Sequence, residues 1–74
     1  MLKESLQKKI GSRIRHFRKS KQLTIANLAF DCNIDSRQLI RIERGEINTS
    51  IYQLYTLCEK LNIELIDLLN EFDN

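Results

Sequence analysis

Asn33-Ile34-Asp35-Ser36-Arg37-Gln38-Leu39-Ile40-Arg41-Ile42-Glu43-Arg44-Gly45 reads as a short capped helix with two unlike faces. Leu39 and Ile42 point one way, while Ser36, Arg37, Ile40, Arg41 and Arg44 are left for something else. Asp35 can accept hydrogen bonds from the first free N–H groups, and Gly45 supplies the left-handed residue that ends a helix. A helix bounded in this way, with small polar and arginine side chains near its start, has the size and chemistry to enter a DNA major groove and read base edges.

Working outward, Leu2, Leu6, Ile10, Ile14 and Phe17 recur at spacings of four, four, four and three, the stripe of an amphipathic helix that ends near Lys21. Thr24 is placed to cap Ile25-Ala26-Asn27-Leu28-Ala29-Phe30-Asp31, barely two turns of helix, and Asn33 suits the positive φ of a tight turn before the quoted stretch. Beyond Gly45, Glu46-Ile47-Asn48-Thr49 has no period and reads as a loop. Ser50 then caps a helix whose apolar face is Ile51, Leu54, Leu57, Cys58 and Leu61, with Asn62 placed to end it. The last segment, Glu64 to Phe72, carries Leu65, Ile66, Leu68, Leu69 and Phe72, an apolar arc wide enough to touch both the core and a second subunit. Nothing alternates with period two for long, so the expectation is all-α: five short helices in one domain spanning residues 1–74.

A chain of 74 residues allows one small domain. Net charge is only +2, but its distribution is uneven. Lys3, Lys8, Lys9, Arg13, Arg15, Arg18, Lys19 and Lys21 stand against Glu4 alone in residues 1–22, and acids outnumber bases thereafter. Such polarity suits a polyanion on one side, and equally a solvated basic helix; a separate reading helix favours nucleic acid. Cys32 and Cys58 lack any zinc-ligand spacing, with His16 the one histidine, and read as buried core thiols. No segment approaches the roughly 20 apolar residues that cross a bilayer, and no apolar signal core opens the chain, so a cytoplasmic protein without a membrane partner is expected.

The order short helix, tight turn, capped reading helix is that of a helix-turn-helix. At Leu23-Thr24, Leu28-Ala29, Ile34, Leu39, Ile42-Glu43-Arg44-Gly45, Asn48, Ser50-Ile51 and Leu54 the chain resembles the Cro/C1-type (XRE) family of DNA-binding proteins, over about residues 10–69. Within that family its length and Asn33-Ile34-Asp35 opening look like the controller proteins of restriction-modification systems. The resemblance implies a lambda-repressor-like five-helix fold and a transcription regulator that binds an inverted-repeat operator in double-stranded DNA as a homodimer.

The same resemblance implies the site. Ser36, Arg37 and Arg41 stand where the family presents base-reading side chains, and Gln38 can reach a phosphate or a base. Arg44 and Asn48 fall where relatives approach the DNA backbone, as do the free N–H groups at the starts of the second and third helices. Arg18 and Glu43 occupy positions that form an inward ion pair between the first and third helices. Two departures stand out: Ile25 replaces a glutamine common at the start of the second helix, and Glu46 occupies a site often basic in relatives, where it would repel phosphate. From the apolar count of the last segment, Leu65, Ile66, Leu69 and Phe72 are the expected dimer contacts.

Tyr52 and Tyr55 can be read as stacking platforms, but their spacing against Ile51 and Leu54 favours packing or a subunit contact. A lone histidine without a phosphate loop supports no catalytic constellation, so no enzyme, cofactor or small-molecule ligand is expected. The competing reading is a protein-interaction module, an antitoxin-like or regulatory adaptor subunit whose acidic C-terminal part binds a protein.

Overall fold

The computed structural model describes residues 2–70. It contains four α-helices, α1 (Lys3–Ser20), α2 (Ile25–Asp31), α3 (Ser36–Glu43) and α4 (Ile51–Leu61), followed by one turn of 3-10 helix, Leu65–Leu68. Their starts follow from local chemistry. The Thr24 hydroxyl accepts the Asn27 amide at 3.0 Å and the Asn27 side-chain oxygen faces the Thr24 amide in return, while the Ser50 hydroxyl accepts the Gln53 amide at 3.0 Å. Asp35, by contrast, makes no side-chain cap bond at α3. It is exposed, and the first turn of α3 carries no bond from it.

All four α-helices end alike. Gln22, Asn33, Gly45 and Asn62 have positive φ, and the residue after each donates its amide to the carbonyl five positions back: Leu23 to Arg18, Ile34 to Ala29, Glu46 to Arg41 and Ile63 to Cys58. Asn33 and Asn62 are the residue type this backbone tolerates best after glycine. Gln22 is not, and no sequence signal marks it; its conformation turns Leu23 back to pack against the core.

That core joins Ile14, Leu28, Ala29, Leu39, Ile42, Leu54, Leu57, Leu61 and Leu68 with the free thiols of Cys32 and Cys58. Burial pushes both thiols above their ordinary pKa, helped by Asp31 at Cys32 and Asp67 at Cys58, which suppresses the reactive thiolate. Helix α1 crosses the end of α3 so closely that a Cβ on Gly11 would overlap the Ile42 carbonyl oxygen and sit 2.7 Å from that of Glu43. Gly45 closes the same seam: its φ is +73°, and a Cβ there would lie 2.6 Å from the Lys8 Cα.

The C-terminal segment departs from expectation. Among the described residues the expected fifth helix over 64–72 is a single 3-10 turn, its Glu64 amide accepted by the Asp67 side chain at 2.8 Å in a capping box. The Arg13 Nε and Nη2 groups donate to the Asp67 carbonyl at 2.8 and 2.6 Å, tying this turn to α1. Phe72 lies outside the described residues. The stripe of α1 is also only partly used: Ile14 is fully buried, whereas Leu2 and Leu6 are exposed.

Candidate nucleic-acid interface

The packing of α3 decides which of its side chains are left over. Leu39 and Ile42 lie in the core and Glu43 is buried, so the helix cannot rotate without exposing apolar surface or an ion pair. Arg37, Arg41 and Arg44 are exposed, and Ser36, Gln38 and Ile40 are half-buried.

The orientation of α3 is fixed by Arg18. Its guanidinium forks onto Glu43, Nε to Oε2 at 2.7 Å and Nη2 to Oε1 at 3.0 Å, while Nη1 donates to the Leu23 carbonyl at 2.9 Å. Only 10% of the Arg18 side chain and 5% of that of Glu43 remain exposed, so the bidentate bonds act where water cannot compete. One arginine therefore ties α1 to the end of α3 and to the strand of chain entering α2. Gln38 is drawn into the scaffold as well, its amide donating to the Gln53 side-chain oxygen of α4 at 2.9 Å.

Around the exposed face of α3 the basic residues of α1 divide. Arg13 and Arg18 are buried in structural roles, Arg13 also lying 5.4 Å over the Phe17 ring, so the N-terminal charge excess overstates what faces a ligand. Lys3 and Lys8 line a shallow groove with Arg44, Glu46 and Asn48. Arg15 lines another with Ile25, Ile40 and Arg44. Arg44 thus stands between two grooves, each carrying further cations, a placement that no spacing in the sequence discloses. The Glu46 carboxylate stands 3.6 Å from Arg41 Nε and 3.8 Å from Arg44 Nη1.

A helix-turn-helix family model matches residues 14–68, which includes α2, the turn at Asn33 and α3. The chain belongs to the Cro/C1-type (XRE) helix-turn-helix family. Solved structures agree with the assignment. The restriction-modification controller protein C.AhdI of Aeromonas hydrophila is 34% identical, with a TM-score of 0.80 over 86% of this chain and 96% of its own. The clp gene regulator ClgR of Corynebacterium glutamicum is 30% identical, with a TM-score of 0.85 over 86% of this chain and 68% of its own. The biofilm master regulator SinR, solved in complex with DNA, is 32% identical, with a TM-score of 0.77 over 82% of this chain and 98% of its own. A comparison with curated protein sequences finds no match. Among the described residues no helix is long and apolar enough to cross a membrane, and no cluster of side chains could hold a metal ion. The class to which this helix-turn-helix protein belongs is that of DNA-binding transcription regulators.

Proposed function

We propose that the chain is a sequence-specific regulator that grips double-stranded DNA as a homodimer on an inverted-repeat operator. The observation that carries this reading is the outward face of α3, where Arg37 and Arg41 stand exposed beside Ser36 on a helix whose opposite face is locked into the core. An arginine at the major-groove edge bonds guanine O6 and N7 with its two terminal nitrogens, and a serine accepts either base type or a phosphate. Arg44 and Asn48, on the rim shared with Lys3 and Lys8, take phosphates, fixing register without reading sequence. Gln38 contributes from its place against Gln53, bracing the reading helix and reaching the nearest backbone. The binding of DNA by SinR, which shares this fold, supports the assignment.

The homodimer rests on apolar surface that one copy leaves uncovered. Leu6, Ile51, Leu65 and Leu69 line a continuous groove, and Tyr52, Tyr55 and Ile66 are exposed on the segments that carry Ile51 and Leu65. Leu65 is half-buried against the core, so Ile66 and Leu69 are the members of the 3-10 turn region free to meet a second copy. The homodimer reading requires a two-fold axis that sets two α3 helices into successive major grooves, about 34 Å apart.

Enrichment of bound sequences from a random duplex pool tests the proposal. It should return an inverted repeat whose half-site centres are about one helical turn apart. Ile66→Glu combined with Leu69→Glu should give a folded monomer that binds a half-site far more weakly than the dimer binds the full site. A wild-type chain that sediments as a monomer at micromolar concentration, with full affinity for one half-site, would rule out the homodimer. Duplex binding that requires a second protein would favour an adaptor subunit instead.

A further inference from the structure

We infer that Glu46 is a specificity-determining residue, whose carboxylate beside Arg41 opposes that arginine's contact with phosphate while leaving its contact with a base open. The inference rests on the duplex-binding reading above. Its first support is stereochemical. In the helix ending shared by all four α-helices, the side chain after the left-handed residue lies over the last turn of its own helix, and an apolar contact usually fills that place. At α1, α2 and α4 the residue is Leu23, Ile34 or Ile63, each packed against the core. At α3 it is Glu46, whose backbone N–H donates to the Arg41 carbonyl at 2.9 Å. Gly45 therefore fixes the Glu46 backbone over the last turn of α3, and its carboxylate stands beside Arg41.

The second support is which edges of the arginines are used. Glu46 Oε1 faces Arg41 Nε at 3.6 Å and Oε2 faces Arg44 Nη1 at 3.8 Å, with all three side chains about half exposed or more, at 47%, 57% and 68% for Glu46, Arg41 and Arg44. Nothing in the core requires this carboxylate. Glu46 faces Arg41 at Nε, which leaves its two terminal nitrogens as the edge to read guanine bidentately. Phosphate has no such edge requirement; it attracts the same two cations by charge and is repelled by Glu46. On arbitrary sequence, where phosphate is all the arginines can gain, Glu46 opposes binding. On the preferred site Arg41 can keep Glu46 and a guanine together. The carboxylate thus widens the gap between preferred and arbitrary DNA.

Glu46→Gln, which keeps size and removes charge, tests this with two probes: a random-sequence duplex and the duplex that wild-type protein enriches. Releasing exposed ion pairs, each a factor of up to about five in a binding constant, should tighten the random duplex about tenfold. Its log–log salt slope should steepen by about one per protomer, while affinity for the enriched duplex, where only the Arg44 share is released, rises about threefold. Equal factors on both duplexes would reduce Glu46 to a contribution of net charge and overturn the inference, as would no change on either. Wild-type protein that binds no duplex would overturn the duplex-binding reading along with it. Intact wild-type discrimination with an unchanged ratio in the variant would overturn the role of Glu46 alone.

Discussion

Duplex affinity should fall roughly 10³- to 10⁵-fold as salt rises from about 50 to about 200 mM, the response of a protein that neutralises around six to ten phosphates. The structure narrows which cations count. Arg13 and Arg18 are buried and bonded within the fold, so the N-terminal excess of positive charge does not reach DNA whole. Lys3, Lys8 and Arg15 line the grooves beside α3, and Arg37, Arg41 and Arg44 are exposed on or next to it. Two such sets in a dimer, each opposed by one Glu46, supply enough cations for the stated range even if several stay in solvent. Filter binding or fluorescence anisotropy across the salt series measures the slope directly. A flat response would contradict the phosphate contacts and with them the docking of this face on DNA.

Glu43→Gln or Arg18→Met should destabilise the fold by about 3–5 kcal/mol, because each leaves the other charge buried without its partner. For a domain of this size, whose total stability at about 0.05–0.15 kcal/mol per residue is roughly 4–11 kcal/mol, that is a large share. An exposed pair would contribute only about 0–1 kcal/mol, so a urea melt separates the two cases. The fork geometry and the additional bond to Leu23 place this pair in the first class. Replacing both residues together, Arg18→Met with Glu43→Leu, should recover most of the stability, since apolar substitutes for a buried pair are often neutral. A loss below about 1 kcal/mol in either single variant would show that water reaches the pair.

What was legible in the sequence was what local chemistry decides. The caps at Thr24 and Ser50, the turns at Asn33, Gly45 and Asn62 and the period of the apolar residues locate all four α-helices, because each signal acts over a few residues. Gln22 escaped because its left-handed backbone is set by where Leu23 must pack, a tertiary demand that a glutamine does not advertise. In the final segment the apolar spacing suits a helix, but it does not distinguish the i→i+3 bond of Asp67 to Glu64 from an α-helical one, and the described part is the 3-10 turn Leu65–Leu68.

At the interface the exposed and buried faces of α3 followed from Leu39 and Ile42 alone. The bond between Gln38 and Gln53, the withdrawal of Arg13 from the basic surface and the grooves that join Lys3, Lys8 and Arg15 to Arg44 depend on how α1 and α4 cross α3. Charge counted along the chain carries no such information. Glu46 was visible as an acid at a position often basic in relatives, but its partners became apparent only from the geometry of the helix end.

Whether α3 reads bases through its arginines is decided by the base-preference profile of Arg37→Ala, Arg41→Ala and Asn48→Ala against the enriched duplex and its single-position variants. Arg37→Ala and Arg41→Ala should each flatten the preference at one position per half-site and weaken the preferred duplex by about 1–3 kcal/mol. Asn48→Ala should weaken every duplex alike. If both arginine variants instead lower affinity uniformly across all sequences, those side chains hold only phosphates and α3 is not the reading helix.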